Sequence, residues 1–252
     1  MIMASLARIL RYPIKSLSAE DLGRVTLVAG RGLPGDRRFA LARADMPPLM
    51  EPHWLPPEHL LTLARHPRLG QLDSRLDGER LTIRRRGRVV LSTDLGTAYG
   101  RSVVSAFFAA FLAGESFGHP RLVEYSKGFG GTPLPRLSLV SAATLSEVGR
   151  ISGHRLEPAE LRVNLVLDDL APRTEQHWIG KRLHLGNAIL RVTDAMDRTV
   201  LPELQSSTFG HGHLGVWAEV LTGGEIRLGD EVMEISEERH HPTPRHSERP
   251  QG

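Results

Sequence analysis

Short apolar runs separated by turn residues fill the segment from Glu160 to Leu204. Val163–Leu167 is a β-type run, and two further short strands are predicted at Leu183–Leu185 and Ile189–Thr193. Between these last two lies Gly186-Asn187, a dipeptide that accepts a positive φ and therefore predicts a tight turn. Apolar runs of this length, bounded by such turns, are typical of strands in a β-rich fold.

The same spacing recurs along most of the chain and predicts a barrel. Further strands are expected at Ala4–Arg11, Arg24–Val28, Arg38–Ala42, His59–Leu63, Gln71–Leu76, Arg80–Ile83 and Val89–Leu91, with Val216–Leu221 and Glu225–Glu234 around a Gly223-Gly224 hairpin turn.

Two segments carry apolar residues at helical spacing. Arg101–Ala113 is predicted as a helix that stops at Gly114. Ala142–Ile151 is predicted as a second helix, with Ser141 as its N-cap and Gly153 as its C-terminal stop.

Length and composition are ordinary for a globular protein, with 252 residues of which 40% are hydrophobic and 24% charged. The longest apolar run, Val103–Ala113, is too short to cross a bilayer, which requires ~20 apolar residues. Met1–Leu10 lacks a basic segment ahead of an apolar stretch and is therefore a poor signal peptide. We expect a cytoplasmic protein with no membrane partner.

The formal net charge of +3 arises from 32 basic and 29 acidic residues. This near balance favours a mixed, solvated surface over nucleic-acid binding. The densest basic cluster, Arg84-Arg85-Arg86-Gly87-Arg88, falls on a predicted hairpin turn, and an exposed turn accounts for it without a ligand. The absence of cysteine excludes disulfides, thiolate catalysis, zinc–thiolate sites and iron–sulfur clusters within the chain.

Several spaced motifs resemble one known family. Arg162-Val163-Asn164-Leu165-Val166, Glu175 with Trp178, and Leu185-Gly186 resemble the core of the MOSC domain, named for the C-terminal part of molybdenum cofactor sulfurase. The regions that resemble the preceding N-terminal β-barrel portion and the closing strands of the domain are Tyr12–Ser16, Gly32–Arg37, Leu61-Thr62, Pro67–Leu69 and Gly215–Val232.

The resemblance implies a fold that is mainly β with a few helices (α+β). It implies a β-barrel-like N-terminal part at residues 1–95 and a MOSC β-barrel at residues 96–236, sharing one cleft. Residues 237–252 have almost no apolar side chains and are expected to form a disordered tail. The glycine-rich segment Gly128–Pro135 lacks the context of a nucleotide-binding loop and is expected to be a flexible connection near the site.

The resemblance also implies a binding site for a phosphorylated pterin, as in the molybdenum cofactor. It places Lys15, Ser16, Arg37, Thr62, Arg162 and Asn164 around that ligand, and it carries a family-level association with pyridoxal phosphate. Lysine offers a point charge and arginine a forked donor for phosphate oxygens. Each arginine also has a plain structural interpretation, since Arg37 can pair with Asp36 and Arg162 can end a strand.

One departure from the family pattern affects function. Many members carry Cys-x-Arg-Cys after the last core strand, where this chain has Met196-Asp197-Arg198-Thr199. A hydroxyl at Thr199 cannot replace a soft metal–sulfur bond. The candidate catalytic residues are Asp197, Arg198, Thr199, His211 and His213, with the two histidines at alternate positions that share a face of a strand.

Three functions remain open at this point. The first is a molybdenum-cofactor-linked enzyme or a carrier of sulfur or cofactor, with a redox partner protein. The second is a non-redox lyase or hydrolase of a small metabolite that uses aspartate and histidine as acid and base. The third is a binding module without chemistry. A small anionic molecule is the expected ligand. The expected cofactor is the molybdenum cofactor or none, and no metal ion is expected to be held by side chains.

Glu175 and Trp178 are expected to be structural, with Glu175 accepting hydrogen bonds from backbone or arginine donors.

Overall fold

The computed structural model describes residues 3–47, 49–115, 118–197 and 213–235. Strands are numbered in chain order and have these bounds: β1 Met3–Arg11, β2 Glu20–Leu22, β3 Arg24–Leu27, β4 Phe39–Ala42, β5 Leu72–Asp77, β6 Arg80–Arg85, β7 Arg88–Asp94, β8 Arg121–Glu124, β9 Leu137–Ser141, β10 Leu165–Asp168, β11 Arg182–Leu185, β12 Ala188–Asp197, β13 His213–Thr222, β14 Gly224–Arg227 and β15 Glu231–Ile235. The α-helices in the same ranges are α1 Ala98–Phe111, α2 Ala142–Ser152 and α3 Pro158–Leu161. The predicted fold class, mainly β with a few helices, is confirmed.

Seven strands close into a barrel in the order β1-β10-β9-β13-β12-β11-β15, with β15 pairing back to β1. Neighbours are antiparallel except β9 and β10. Strand β1 bridges the closure, because Ile9 lies opposite Leu165 of β10 and Met3 lies opposite Met233 of β15. A closed wall pairs backbone groups that an open sheet would leave exposed at its edges.

The barrel interior is filled by one apolar cluster. Leu6 and Ile9 of β1, Leu139 of β9 and Val216 of β13 all belong to it, and their burial stabilises the fold by roughly 1.5–3 kcal/mol each. Trp178 is fully buried in the same cluster, as its predicted structural role requires.

Glu175, three residues earlier, is also fully buried. Its Oε2 accepts a hydrogen bond from the Thr144 hydroxyl at 3.0 Å. The prediction of a backbone or arginine donor is therefore wrong, because the N-terminal turn of α2 brings a hydroxyl to the carboxylate instead.

A second core lies between the three-stranded sheet β5-β6-β7 and helix α1. The helix starts three residues before its predicted start, because the hydroxyl of Thr97 accepts from the backbone N–H of Gly100 (3.0 Å) and caps it. It ends at Phe111 rather than Ala113. The caps of α2 are as predicted, since the Ser141 hydroxyl accepts from the Thr144 N–H and Gly153 is left-handed.

Two predicted strand arrangements are wrong. Pro57–His59 forms a short 3-10 helix, and only Leu60 of the predicted His59–Leu63 strand makes a β-bridge, to Ala42. The preceding prolines fix φ and lack donors, which opposes strand pairing. The Gly223-Gly224 hairpin does not form either, because β13 pairs with β9 and β12 while β14 pairs with β3.

Close packing explains the two glycines at that position. A Cβ on Gly223 would lie 2.6 Å from the Leu27 carbonyl oxygen, and one on Gly224 would collide with the backbone of Asn187. The run that follows is divided at Gly229 (φ 85°) into β14 and β15.

Within the described ranges, none of the helices combines the length and apolar character that a membrane crossing requires. The predicted tail at residues 237–252 lies outside the described residues.

Candidate functional site

Three of the predicted anion-binding residues have left-handed backbone conformations. Ser16 has φ 73°, Arg37 has φ 49° and Arg162 has φ 53°. Non-glycine residues adopt this region rarely, at a free-energy cost on the order of 1–3 kcal/mol each. The surrounding contacts must therefore hold these three residues in place.

Lys15 follows β1 after the Tyr12-Pro13 turn. Its backbone N–H donates to the Phe39 carbonyl at 2.8 Å. Its side-chain Nζ donates to the carbonyls of Phe129 (2.8 Å) and Gly130 (3.3 Å). The side chain is thus fixed against the glycine-rich segment, which lies beside the site as predicted.

Arg37 lies on the turn before β4. Its backbone N–H donates to the Tyr12 carbonyl at 2.6 Å, and its guanidinium both pairs with Asp36 and donates to the Arg162 carbonyl at 2.7 Å. The side chains of Arg37 and Asp36 are only 13% and 10% exposed. The ion pair suggested by the sequence therefore forms, but in a largely buried position.

Two of these cations, Arg37 and Arg162, place their guanidinium groups over the ring of Tyr12. The guanidinium carbon of Arg162 lies 4.4 Å from the ring centre and that of Arg37 lies 5.0 Å from it. The ring is fully buried, and its hydroxyl donates to the Val163 carbonyl at 3.2 Å. Cation–π attraction offsets part of the repulsion between the two arginines.

These side chains line one cavity of about 320 Å³. The glycine-rich segment forms another part of its wall, and Ser16 and Thr62 line it as well. Among the lining side chains the cations are Lys15, Arg37, Lys127, Arg136 and Arg162, and the one carboxylate is Asp36. This excess of positive charge suits an anion.

The electrostatics of the cavity affect Lys15 most. Burial, followed by the positive charges of Arg37 and Arg162, lowers the pKa of its ammonium to about 8, with Asp36 acting in the opposite direction. An anion in the cavity would reverse this effect, because it stabilises the charged form of the lysine.

Lys127 and Arg136 were not identified from the sequence. Arg136 donates to Asp194 at 2.5 Å and lies over the Trp217 ring, 5.2 Å from its centre. The two cations flank the glycine-rich segment at either end, and that flanking charge is the signal that could have revealed them.

Sequence models of two families match the chain in succession. The MOSC N-terminal beta barrel domain matches residues 3–116, and the MOSC domain matches residues 128–233. The chain belongs to the MOSC family. The resemblance seen in the sequence is thereby confirmed.

Solved structures of other proteins are similar to this MOSC chain. The YuaD protein from Bacillus subtilis has 15% sequence identity and a TM-score of 0.44, covering 91% of this chain and 94% of that chain. YiiM from Geobacillus stearothermophilus has 18% identity and a TM-score of 0.34, and YiiM from Escherichia coli has 16% and 0.31. Each YiiM match covers 40% of this chain and 54% of that chain. No curated protein matches the sequence.

MOSC domains are associated with the molybdenum cofactor, and the residues of this chain fit that group only in part. The cationic cavity suits its phosphate. The chain contains no cysteine, so it cannot supply a thiolate to molybdenum. We therefore derive no reaction step through the metal.

Asn164 is placed differently from the other predicted ligands of this MOSC site. It is fully buried and does not line the cavity. Its Oδ1 accepts from the backbone N–H (3.2 Å) and hydroxyl (3.0 Å) of Ser138, and its Nδ2 donates to the Leu10 carbonyl (3.2 Å). These bonds tie β1, β9 and the start of β10 together.

Two of the predicted catalytic residues are described. Asp197 and His213 lie opposite each other on β12 and β13, and both are exposed. Neither lines the cationic cavity. Arg198, Thr199 and His211 lie outside the described residues.

No group of three or more metal-ligating side chains occurs within residues 3–47, 49–115, 118–197 and 213–235. A larger cavity, of about 690 Å³, lies between α2, α3 and β1. Its lining also carries arginines, namely Arg8, Arg150 and Arg155. The side chains of Arg8 and Arg155 are 39% and 89% exposed, against 13% for Arg37, so water screens their charge more strongly. The smaller cavity is therefore the better candidate for an anion.

Proposed function

We propose that this MOSC protein binds a small ligand through a phosphate or another oxyanion held by Lys15, Arg37 and Arg162. The observation that carries the proposal is the convergence of these three cations, from distant parts of the chain, around a cavity with a single carboxylate. A hydrogen bond to a charged group contributes ~1.5–3 kcal/mol. Three such contacts suffice for specific binding of a small anion.

Family membership favours a phosphorylated pterin as the ligand. The cavity has a volume of about 320 Å³, which is small for a ligand pocket, since such pockets have volumes of roughly 300–1,000 Å³. The cavity therefore suits a small phosphorylated metabolite or the phosphorylated end of a larger ligand. In either case the arginines bind and orient the anion, and the aromatic ring of Tyr12 keeps them in position.

Isothermal titration calorimetry with inorganic phosphate and pyrophosphate tests this proposal. We expect binding by the native protein and a large loss of affinity in Arg162→Gln. The matched control is Arg84→Gln on the exposed hairpin, which should bind as the native protein does. Equal affinities for all three proteins, or no binding by any, would refute an anion site in this cavity.

The identity of the ligand requires a separate measurement. Elemental analysis of the purified protein for molybdenum, together with pterin fluorescence after denaturation, tests the family-based expectation. Phosphate binding without copurified molybdenum or pterin would indicate a different phosphorylated ligand.

A second candidate function is acid–base catalysis on a small metabolite. The observation in its favour is the cross-strand pair Asp197 and His213, which places a carboxylate and an imidazole on neighbouring strands. Turnover of phosphorylated metabolites should then be lost in His213→Ala while affinity for inorganic phosphate is kept. If His213→Ala retains full turnover, this function is ruled out.

A further inference from the structure

Lysine is rare in this protein and concentrated at the site. Of the 32 basic residues only Lys15, Lys127 and Lys181 are lysines. Two of these three, Lys15 and Lys127, line the cationic cavity. An arginine would serve an oxyanion at least as well, because its planar fork matches two oxygens. What lysine adds is a primary amine that can lose its proton and act as a nucleophile.

The hydrogen bonds of Lys15 favour such a nucleophile. A neutral amine has two N–H groups and one lone pair. The carbonyls of Phe129 and Gly130 accept from Nζ and together occupy both N–H groups. The lone pair of Nζ is then not engaged by either carbonyl. Because Lys15 lines the cavity, this lone pair is available to a ligand bound there.

The charged neighbours of Lys15 place an anion beside the amine. When Lys15 is neutral, Arg37 and Arg162 can still hold an oxyanion, although more weakly than with the charge of Lys15, since each has a guanidinium at the same cavity. Burial, followed by the positive charges of Arg37 and Arg162, lowers the pKa of Lys15 to about 8. At pH 7 roughly a tenth of the molecules with no anion in the cavity then carry a neutral amine, against less than a thousandth for an ordinary lysine. A bound anion lowers this fraction, because it stabilises the charged form of Lys15.

We propose that Lys15 forms an imine with an aldehyde or ketone that also carries a phosphate or carboxylate, with Arg37 and Arg162 holding the anionic group. This inference rests on the proposed anion binding and adds the class of ligand. Two steps complete the reaction. First, the Nζ lone pair bonds to the carbonyl carbon and the carbonyl oxygen takes up a proton from nitrogen. The C–O bond then breaks and the oxygen leaves as water with a second proton from nitrogen. The neutral amine and the carbonyl compound thus give an imine and one water, with no oxidation or reduction.

Reductive trapping tests the imine. The native protein is incubated with dihydroxyacetone phosphate or with glyoxylate in the presence of cyanoborohydride, which reduces an imine to a stable secondary amine. Peptide mass spectrometry then locates the adduct. We expect at least tenfold more adduct on Lys15 than on Lys127 or Lys181, and suppression of the Lys15 adduct by excess inorganic phosphate.

Variants and a matched ligand separate the outcomes. The Lys15 adduct should vanish in Lys15→Arg, which keeps the positive charge, and persist in Lys181→Arg, because Lys181 pairs with Glu234 at 2.8 Å and does not line the cavity. Glycerol 3-phosphate, which has no carbonyl, should bind by calorimetry without being trapped. If glycerol 3-phosphate binds but neither carbonyl compound is trapped on Lys15, the imine is refuted while anion binding stands. If no anion binds, both proposals fail, and equal labelling of all three lysines would show only the general reactivity of amines.

Discussion

Two groups of basic residues in this protein differ in almost everything except their charge. One group, the hairpin arginines (Arg84, Arg85, Arg86 and Arg88), occupies four of five successive positions where β6 turns into β7. Arg84, Arg86 and Arg88 are exposed, and Arg85 lies over the Phe111 ring at 5.3 Å. The other group, the cavity cations (Lys15, Arg37, Lys127, Arg136 and Arg162), is scattered over the chain and converges in space.

The difference shows that the density of charge along a sequence says little about function. Water and salt screen the hairpin arginines, so each contributes little to binding. The cavity cations are partly removed from water, and burial, followed by the charges of Arg37 and Arg162, lowers the pKa of Lys15. Left-handed backbone does not separate the two groups, because Arg86 on the hairpin has φ 50°, as Arg37 (φ 49°) and Arg162 (φ 53°) do at the cavity.

A pair of glycine substitutions should separate the two groups most strongly. Gly128 (φ 83°) lies beside the cavity cations, and a Cβ there would be 2.5 Å from the Asp36 carbonyl oxygen. Gly87 (φ 76°) lies on the hairpin with nothing within 4 Å. We expect Gly128→Ala to lower the free energy of unfolding by ~2–4 kcal/mol and to displace Asp36 and Arg37. Gly87→Ala should lower it by only ~1 kcal/mol.

Urea denaturation gives the two stabilities, and calorimetry with inorganic phosphate gives the affinities. Binding should weaken at least tenfold in Gly128→Ala and stay unchanged in Gly87→Ala. If both variants bind and unfold alike, the packing of Gly128 against Asp36 does not hold the site together.

Removing one arginine from each group should give the next largest difference. Arg162→Gln removes one charge-assisted contact worth ~1.5–3 kcal/mol, a loss of roughly 10- to 150-fold in affinity for pyrophosphate. Arg84→Gln should change the affinity by less than about twofold. Calorimetry measures both, and circular dichroism checks that each variant is folded. A larger loss in Arg84→Gln than in Arg162→Gln would place the anion at the hairpin.

The effect of pH should be confined to the cavity cations. Lys15 is charged below its pKa of about 8 and neutral above it, so the attraction for an anion is present at low pH and lost as the pH rises. The charged groups that act on this lysine are Arg37, Arg162 and Asp36. We expect sulfate, whose charge is constant over this range, to bind roughly tenfold more weakly at pH 9 than at pH 7.

Lys15→Arg should abolish this dependence, since arginine stays charged. Calorimetry at a series of pH values and constant ionic strength provides the measurement. A flat profile in the native protein would mean that Lys15 does not take part in anion binding.

The smallest effect is expected from the hairpin alone. The triple variant Arg84→Gln, Arg86→Gln, Arg88→Gln should bind phosphate within about twofold of the native protein, and its stability should change by about 0.5 kcal/mol per site or less. Salt titration sharpens the result, because any remaining difference should disappear at high ionic strength. A persistent loss of binding would contradict the assignment of the hairpin as a plain exposed turn.

Much of the fold was readable from the sequence because strand periods and helix caps are local signals. Ser141 and Gly153 bound α2 as predicted. Errors arose where a distant partner overrides the local pattern. The Gly223-Gly224 dipeptide has the composition of a hairpin turn, yet its glycines serve close contact with Leu27 and Asn187, which lie far away in the chain.

The candidate site was only partly predictable. Lys15, Ser16, Arg37, Thr62 and Arg162 meet at the cavity, and the family motifs pointed to each of them. Asn164 belongs to the same motif as Arg162 but is fully buried and bonded to Ser138 and Leu10. The left-handed backbone at Arg162, between α3 and β10, gives the two residues different surroundings. The lowered pKa of Lys15 depends on its burial and on the approach of Arg37 and Arg162, which are distant in the chain. Local sequence predicts neither of these.

The seam formed by β1 affects how the polypeptide can acquire its structure. Met3 lies opposite Met233, so β1, which is synthesised early in translation, can pair with β15 only near the end of the described chain. Until β15 is made, one edge of β1 has unpaired backbone groups that can pair with wrong strands. The apolar side chains of β1 are also not yet fully packed. Contacts so distant in sequence slow folding. A chain that ends before β15 would lack the strand that lies between β1 and β11 and closes the barrel.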